Sequence, residues 1–192
     1  LAQLAKSYGI GFTIDAEEAD RLELSLDLIE ATFSDKSLDG WEGYGLAVQA
    51  YQKRTPYVID FLADLARRVG RRMPVRLVKG AYWDSETVLA KQNGWEVPVY
   101  TIKAESDMAY ERISRVILEN HDICHSACAS HNIRTIATVI ETAKALNVPD
   151  SRYEFQVLYG MAEPVRKGLR NVAKRVRLYC PYGDLIPGMA YL

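Results

Sequence analysis

The segment PVRLVKGAYWDSETVLAKQNG (Pro74–Gly94) contains one complete strand-and-helix unit. Its apolar beginning predicts a strand over Pro74–Gly80, and its second half predicts a short helix that stops at Gly94. Two cations, Arg76 and Lys79, stand near the end of this strand, although strands of a parallel sheet are normally buried on both faces. The two cations therefore face either water at an edge of the sheet or a bound anion or polar ring.

The same alternation of strand and helix patterns extends on both sides of this unit. The other predicted strands are Gly11–Asp15, Gly45–Ala50, Asp122–His131, Tyr153–Gly160 and Val176–Pro181. The other predicted helices are Ala16–Phe33, Thr55–Val69, Lys103–Asn120, Asn132–Asn147 and Met161–Ala173, with the start of one more at Pro187–Leu192. For the helix at Thr55–Val69 we expect Thr55 as the N-cap, Pro56 in the first turn and Gly70 as the stop. Repeated β-α units predict a parallel sheet.

Two architectures fit repeated β-α units: an open doubly wound sheet and a (β/α)8 barrel. No GxGxxG or GxxxxGK[ST] motif follows a predicted strand, so neither phosphate-binding fingerprint supports the open sheet. Polar residues instead collect where successive strands end, at Asp15, Gln49, Lys79, Ser130 and His131. Barrel enzymes assemble their active sites at this edge. We therefore predict an α/β fold of the TIM-type (β/α)8 class.

The length of the chain predicts only part of such a barrel. A (β/α)8 barrel typically has about 250 residues, whereas 192 residues here supply six strand-and-helix units. We expect one barrel domain over residues 1–192 that lacks its first strands and the end of its last helix.

Composition narrows the class of protein. Apolar residues make up 48% of the chain, charged residues 26%, and the net charge is −1, which is typical of a soluble globular domain and argues against nucleic-acid binding. Three cysteines predict a reducing compartment rather than a disulfide framework. No signal peptide and no apolar run of about 18 residues is visible, which leaves a peripheral membrane contact open.

The segment CHSACASH contains four possible metal ligands: Cys124, His125, Cys128 and His131. The segment reads better as a strand than as a helix, and a strand places the two cysteines on one face and the two histidines on the other. The cysteines are then about 13 Å apart. We therefore expect no metal site, and we retain only His131 as a candidate functional residue because it lies where the strand leads into the next helix.

The strand that contains Arg76 and the residues after it also suggest how a binding site could be formed. Arg76 and Val78 share one face of that strand, and an arginine inside a barrel is costly unless it is paired or bonded to a ligand. Gly80 permits a close approach of the backbone, and Tyr82 and Trp83 then lie at the mouth, where they can flank a flat ring. Asp15 also ends a strand; it is either a helix-capping acid or a site residue.

Six segments occur in an order that resembles a known family: DAEEADR, QAYQKR, RLVKGAYWDSE, ASHN, YEFQVLYGMAEP and RLYCPYGDLIPGMAYL. Together they resemble the proline dehydrogenase domains of bifunctional proline utilisation A flavoenzymes, from about Gly11 to the last residue. The resemblance implies a (β/α)8 barrel that holds FAD. It implies oxidation of L-proline to Δ1-pyrroline-5-carboxylate by hydride transfer to flavin N5, the first step of proline catabolism to glutamate.

The resemblance also implies partners and a location. Electrons would pass to a membrane quinone, and the domain would be linked covalently to a pyrroline-5-carboxylate (glutamate semialdehyde) dehydrogenase domain. The protein would be cytoplasmic and peripherally associated with the inner membrane. No nucleic-acid partner is expected through this domain.

Site residues follow from the resemblance by matched position. The implied catalytic residues are Asp15, Arg76, Tyr82 and Tyr179, and the implied substrate-binding residues are Asp15, Tyr82, Leu158, Tyr179 and Tyr191. The implied FAD-binding residues are Gln49, Arg76, Val78, Lys79, Gly80, Ala81, Tyr82, Trp83, Ser130, His131, Asn132 and Gln156.

One family feature is missing from the printed sequence. The family binds the carboxylate of proline with an Arg-Arg pair shortly after the position of Tyr191, and the chain stops at Leu192. We therefore expect the chain alone to be unable to turn over proline. The alternatives to a proline dehydrogenase are another β/α-barrel enzyme that binds a phosphorylated substrate through Arg76 and Lys79, and a non-catalytic module.

Overall fold

The structure is a computed structural model that describes residues 1–183. The helix start predicted at Pro187–Leu192 lies outside these residues. Within them the strands are β1 (Phe12–Ile14), β2 (Tyr44–Gln49), β3 (Met73–Val78), β4 (Cys124–Ala129), β5 (Tyr153–Leu158) and β6 (Val176–Tyr179). The α-helices are α1 (Ala2–Ser7), α2 (Leu22–Phe33), α3 (Thr55–Val69), α4 (Trp83–Asn93), α5 (Lys103–Glu119), α6 (Ile133–Ala145) and α7 (Glu163–Val172), and two short 3₁₀ helices span Ala19–Arg21 and Lys36–Leu38.

The sheet has the strand order of a barrel. Over residues 1–183 the six strands form one sheet in chain order, β1-β2-β3-β4-β5-β6, and each adjacent pair is parallel. A doubly wound sheet would instead reverse its order at a switch point. The strands form a curled half-barrel that covers six of the eight units of a (β/α)8 barrel, which confirms the predicted fold class.

The two faces of the sheet have different neighbours, and β3 illustrates the pattern. Met73, Val75 and Leu77 are fully buried in the core that the sheet shares with the helices. Arg76 and Val78 are only partly buried, and they lie on the opposite face because side chains alternate along a strand. The alternation therefore directs Arg76 toward the inside of the barrel, as predicted.

The start of α3 is tied to the end of β2. Pro56 lies in the first turn and Gly70 ends the helix in the left-handed conformation, with φ at +69°, both as predicted. The prediction that Thr55 caps the helix is wrong, since Arg54 occupies the cap position and Thr55 is the first helical residue. The Thr55 hydroxyl instead donates a hydrogen bond to the carbonyl of Gln49, which fixes the last residue of β2.

The helix predicted from Ala16 begins later than expected. Residues 15–18 form a loop, Ala19–Arg21 form a 3₁₀ helix, and α2 starts at Leu22. The backbone at Ala19 is held by Glu86, whose carboxylate accepts from its N–H, and by Arg54, which donates to its carbonyl. These tertiary bonds compete with helical ones, so Asp15 lies in a loop and does not cap a helix.

Some apolar side chains of α5 and α6 point away from the core. Met108 on α5 and Ile133 on α6 are 65% and 70% exposed. The inner face of α6 carries Ile136 and Val139, and the inner face of α5 includes Tyr110, which is fully buried. No helix within residues 1–183 combines the length and apolar character that crossing a bilayer requires.

Candidate active site

A cleft of about 630 Å³ opens at the carboxyl ends of the strands. This volume lies within the range of small-molecule and cofactor sites. The lining residues are Asp15, Ala16, Gln49, Arg76, Val78, Lys79, Gly80, Ala81, Tyr82, Ala129, Ser130, His131, Asn132, Gln156, Val157, Leu158 and Tyr179. The structure thus brings together all the candidate site residues except Trp83, which is absent from this lining, and Tyr191, which lies outside the described residues.

Arg76 lies inside the cleft in an ion pair. Its Nη2 is 2.5 Å from Oδ1 of Asp15, and only 13% of its side chain is exposed. The guanidinium carbon lies 5.5 Å from the centre of the Tyr179 ring, within the distance at which a cation is attracted to an aromatic face. A buried guanidinium needs such partners, and the pair explains how the strand accommodates a cation.

Lys79 reaches the same cleft by a different route. Strand β3 ends at Val78, so the alternation that would turn Lys79 to the opposite face no longer applies. The Lys79 ammonium forms an ion pair with Oδ1 of Asp107 on α5, and Lys103 lies 2.6 Å from the other carboxylate oxygen. Hydrogen bonds from Lys103 and Lys79 lower the pKa of Asp107, so its carboxylate stays ionised and holds Lys79 in position.

The Gln49 amide joins two loops at the edge of the cleft. Its Nε2 donates to the carbonyl of Glu17 at 2.8 Å, and its Oε1 accepts from the backbone N–H of Ala81 at 3.1 Å. The Tyr82 hydroxyl donates to Oε2 of Glu17 at 2.9 Å. Burial and this bond to a carboxylate raise the pKa of Tyr82 to about 12, so at neutral pH it presents a protonated hydroxyl.

Ser130, His131 and Asn132 shape the turn between β4 and α6. The backbone N–H of Leu158 donates to Nε2 of His131 at 3.0 Å. The neutral imidazole therefore carries its proton on Nδ1, the nitrogen that remains available as a donor. The Asn132 side chain caps α6 by accepting from the N–H of Thr135, and Ser130 Oγ accepts from the N–H of Asn132. These bonds fix His131 between two strand ends.

Trp83 is the first residue of α4 and lies beside the cleft. It is 43% exposed, and its indole Nε1 donates to the carbonyl of Tyr100 at 3.1 Å. Part of the Trp83 side chain is therefore exposed to solvent at the edge of the site.

The cysteines take no part in the cleft. Cys124 and Cys128 are buried in the core, and burial raises the pKa of each thiol to about 12. Within residues 1–183, no three His, Cys, Asp or Glu side chains are grouped so as to hold a metal ion.

Sequence reasoning missed three acids that organise the site: Glu17, Asp107 and Glu154. Strand alternation places Glu154 on the same face as Gln156, and this signal could have identified Glu154 as a site residue. Glu17 and Asp107 contact residues 65 and 28 positions away. No local pattern in the sequence indicates those contacts.

The fold and the cleft together define a class of protein. A parallel β/α barrel with polar and cationic side chains at the carboxyl ends of its strands is the arrangement that barrel enzymes use for their active sites. Comparison with known protein families is more specific. The family model described as proline dehydrogenase matches residues 1–192, and the chain belongs to this family.

Several relatives support the assignment. The chain is 46% identical over 202 residues to the bifunctional protein PutA of Rhizobium meliloti, with all of this chain and 16% of that protein covered. It is 32% identical over 184 residues to proline dehydrogenase 2 of Bacillus subtilis strain 168, with 96% of this chain and 53% of that protein covered. The chain therefore spans only part of the length of these relatives.

Solved structures agree with the sequence comparison. Proline utilization A from Bdellovibrio bacteriovorus, in a crystal structure of the protein inactivated by N-propargylglycine, matches with a TM-score of 0.95 at 42% identity, covering 98% of this chain and 20% of that one. A proline utilization A mutant from Bradyrhizobium japonicum matches with a TM-score of 0.91 at 46% identity, covering 99% and 19%.

Proposed function

We propose that the protein oxidises L-proline to Δ1-pyrroline-5-carboxylate with FAD as the hydride acceptor. The observation that carries the proposal is the pair of cations in the cleft, Arg76 and Lys79, each held by a carboxylate at the carboxyl edge of the sheet. Membership of the proline dehydrogenase family supports the reaction type. The relatives described above are named bifunctional protein PutA and proline dehydrogenase 2.

The donor set of the cleft fits a flavin. A flavin presents carbonyl oxygens and ring nitrogens that accept hydrogen bonds, and the cleft offers the donors of Arg76, Lys79 and His131 beside a backbone segment around Gly80. When bound, FAD would accept the hydride that leaves the proline carbon next to the ring nitrogen. The residues proposed to hold it are Gln49, Arg76, Val78, Lys79, Gly80, Ala81, Tyr82, Trp83, Ser130, His131, Asn132 and Gln156.

Arg76 and Lys79 are proposed to supply electrostatic stabilisation. Fixed cations stabilise negative charge that develops in a reaction, because no reorganisation is needed at that moment. Both side chains are fixed here by ion pairs, to Asp15 and to Asp107. This arrangement answers why a buried strand ends in two cations.

The proposed proline pocket lies beside Arg76. Asp15, Tyr82, Leu158 and Tyr179 line the same cleft, and the Tyr179 ring packs on the Arg76 guanidinium. These residues would surround a small saturated ring and exclude water from the carbon that loses hydride. Tyr191 remains a predicted member of this pocket, and it lies outside the described residues.

The parent protein is proposed to carry further activities. Relatives called bifunctional, of which the chain covers 15–16%, support a covalently linked pyrroline-5-carboxylate dehydrogenase domain. The resemblance of the motifs supports a membrane quinone as electron acceptor and peripheral association with the cytoplasmic side of the membrane.

Arg76→Met in the full-length protein tests the proposal. We expect wild type to show the visible absorption of a flavin and to reduce a dye in the presence of proline. Loss of one stabilising donor typically lowers a rate about 10²–10³-fold, so we expect a drop of this size in Arg76→Met. The matched control is Arg115→Met, because the Arg115 side chain is 60% exposed on α5 and pairs only with Glu119 in the described residues.

The control variant should keep the rate of wild type. A colourless wild-type protein that takes up no FAD refutes the cofactor. A protein that binds FAD and ignores proline refutes the substrate.

A further inference from the structure

Glu154 is a buried acid on the cleft side of β5. The residue is 5% exposed, and both carboxylate oxygens face Arg177: Nε lies 2.9 Å from Oε1 and Nη2 lies 3.1 Å from Oε2. His125 Nε2 lies 3.6 Å from Oε2. The amide Nε2 of Gln156, two residues further along the strand, donates to Oε1 at 2.7 Å. One carboxylate therefore connects three inward-facing polar side chains.

The Glu154 carboxyl is ionised at neutral pH. Burial alone raises the pKa of a carboxyl group, but the hydrogen bonds from His125, Arg177 and Gln156 outweigh burial and lower this pKa to about 2. An ionised carboxylate has no proton to donate, so it only accepts hydrogen bonds.

This charge determines which way the Gln156 amide points. The amide oxygen and nitrogen are nearly equal in shape, so the hydrogen-bond partners decide the orientation. Only the NH₂ group can bond to the Glu154 carboxylate, since the amide oxygen in its place would meet another acceptor. Gln156 lines the cleft, and no hydrogen bond from residues 1–183 reaches its Oε1.

We propose that Glu154 is a positioning residue that fixes the Gln156 amide with Oε1 as an acceptor for an N–H group of the bound ligand. The proposal rests on FAD as the cofactor. The flavin ring has one N–H in its oxidised form, the imide N3–H between two carbonyl groups, and this N–H is the donor that Gln156 Oε1 would accept. Glu154 acts through Gln156 and needs no contact with the flavin itself.

A merely structural role for Glu154 predicts a different result. In that case the ion pair with Arg177 would stabilise β5 against β6, and its loss would weaken all ligands equally. A positioning role predicts a selective loss, confined to ligands that carry the imide N–H. FAD and its N3-methyl derivative differ in this donor, so the ratio of their dissociation constants measures the Gln156 contact.

The experiment measures this ratio for the full-length apoprotein by flavin fluorescence titration. One buried hydrogen bond contributes about a tenfold preference, so we expect wild type to bind FAD about tenfold more tightly than N3-methyl FAD. Glu154→Gln removes the charge but keeps the shape, which frees the Gln156 amide to turn. We expect the ratio to fall to about twofold.

Three further variants complete the design. Gln156→Met removes the amide and should lower the ratio in the same way. Adding Glu154→Gln to this variant should lower the ratio no further, because the effects of substitutions at residues that act through one another are not additive. Glu141→Gln is the matched control, since Glu141 is exposed on α6, and it should keep the ratio of wild type.

The outcomes separate this inference from the proposed function. Wild type that binds FAD without preference over N3-methyl FAD overturns the inference alone, as does a Glu154→Gln variant with the ratio of wild type. If Glu154→Gln does not fold, Gln156→Met decides: an unchanged ratio overturns the inference. Wild type that binds neither flavin overturns the proposed cofactor and the inference with it.

Discussion

Gly80→Ala is the substitution that we expect to damage the cleft most without removing a polar group. The φ angle of Gly80 is +144°, which residues with a side chain rarely adopt, and such strain costs on the order of 1–3 kcal/mol. An added Cβ would also lie 2.4 Å from the Tyr51 ring, which would have to retreat by about 1 Å to the 3.4 Å of an ordinary contact. Tyr51 is 3% exposed and has little room to move.

The displaced ring would carry the damage into the cleft. The Tyr51 hydroxyl accepts a hydrogen bond from the backbone N–H of Tyr82 at 3.1 Å, so a shift of Tyr51 moves the start of α4. We therefore expect Gly80→Ala to lose FAD affinity at least tenfold and to lower the free energy of unfolding by about 2–4 kcal/mol.

Gly94→Ala is the control variant, because it introduces backbone strain without a steric clash. Gly94 also has a positive φ, +68°, but an added Cβ would meet nothing within 4 Å. This control should lose about 1 kcal/mol of unfolding free energy and keep wild-type FAD affinity. Urea unfolding and fluorescence titration of the apoprotein measure the two quantities. Equal losses of FAD affinity in both variants would refute the reasoning from Tyr51.

Three further predictions concern acids and a tyrosine. Asp107→Asn should weaken FAD binding about three- to tenfold, because Lys79 loses the partner that preorganises it; unchanged affinity in a titration contradicts this. Tyr110→Phe should lower the free energy of unfolding in urea by about 1–3 kcal/mol, since the buried hydroxyl donates to the Leu77 carbonyl at 2.9 Å; a loss below about 0.5 kcal/mol contradicts this. The folded-state pKa of Glu154, about 2, lies below its ordinary value of 4.5, so its stabilisation is fully present above pH 4.5 and is lost toward pH 2. Over that range wild type should lose about 3 kcal/mol more than Glu154→Gln, and parallel acid-unfolding curves would contradict this.

The sequence predicted the strands and much of the cleft lining for a physical reason. A strand buried on its helix side must alternate, so the position of Arg76 follows from Val75 and Leu77 on either side. Parallel strands end at a common edge, which brings Gln49 and His131 together without knowledge of the loops. Where the rule is geometric and local, the structure agrees with it.

The contacts that hold the site were not predictable in this way. The start of α2 depends on Glu86 and Arg54, which bond to the backbone of Ala19 from 67 and 35 positions away. The orientation of Lys79 depends on the end of β3 and on an acid of α5. Such contacts form only after the chain has folded, and helical or strand periodicity does not encode them.

The two cations of the cleft have different relations to a ligand. Lys79 lines the cleft and Asp107 does not, so Asp107 holds the Lys79 ammonium from outside the lining. Asp15 lines the cleft together with Arg76, so both members of that pair belong to the cleft. The hydrogen bond to Asp15 uses Nη2 of Arg76, and a guanidinium carries five N–H donors, so a ligand atom can accept from Arg76 while Asp15 stays paired. Each pair therefore holds a positive charge at the cleft, with the partner of Lys79 outside the lining and the partner of Arg76 within it.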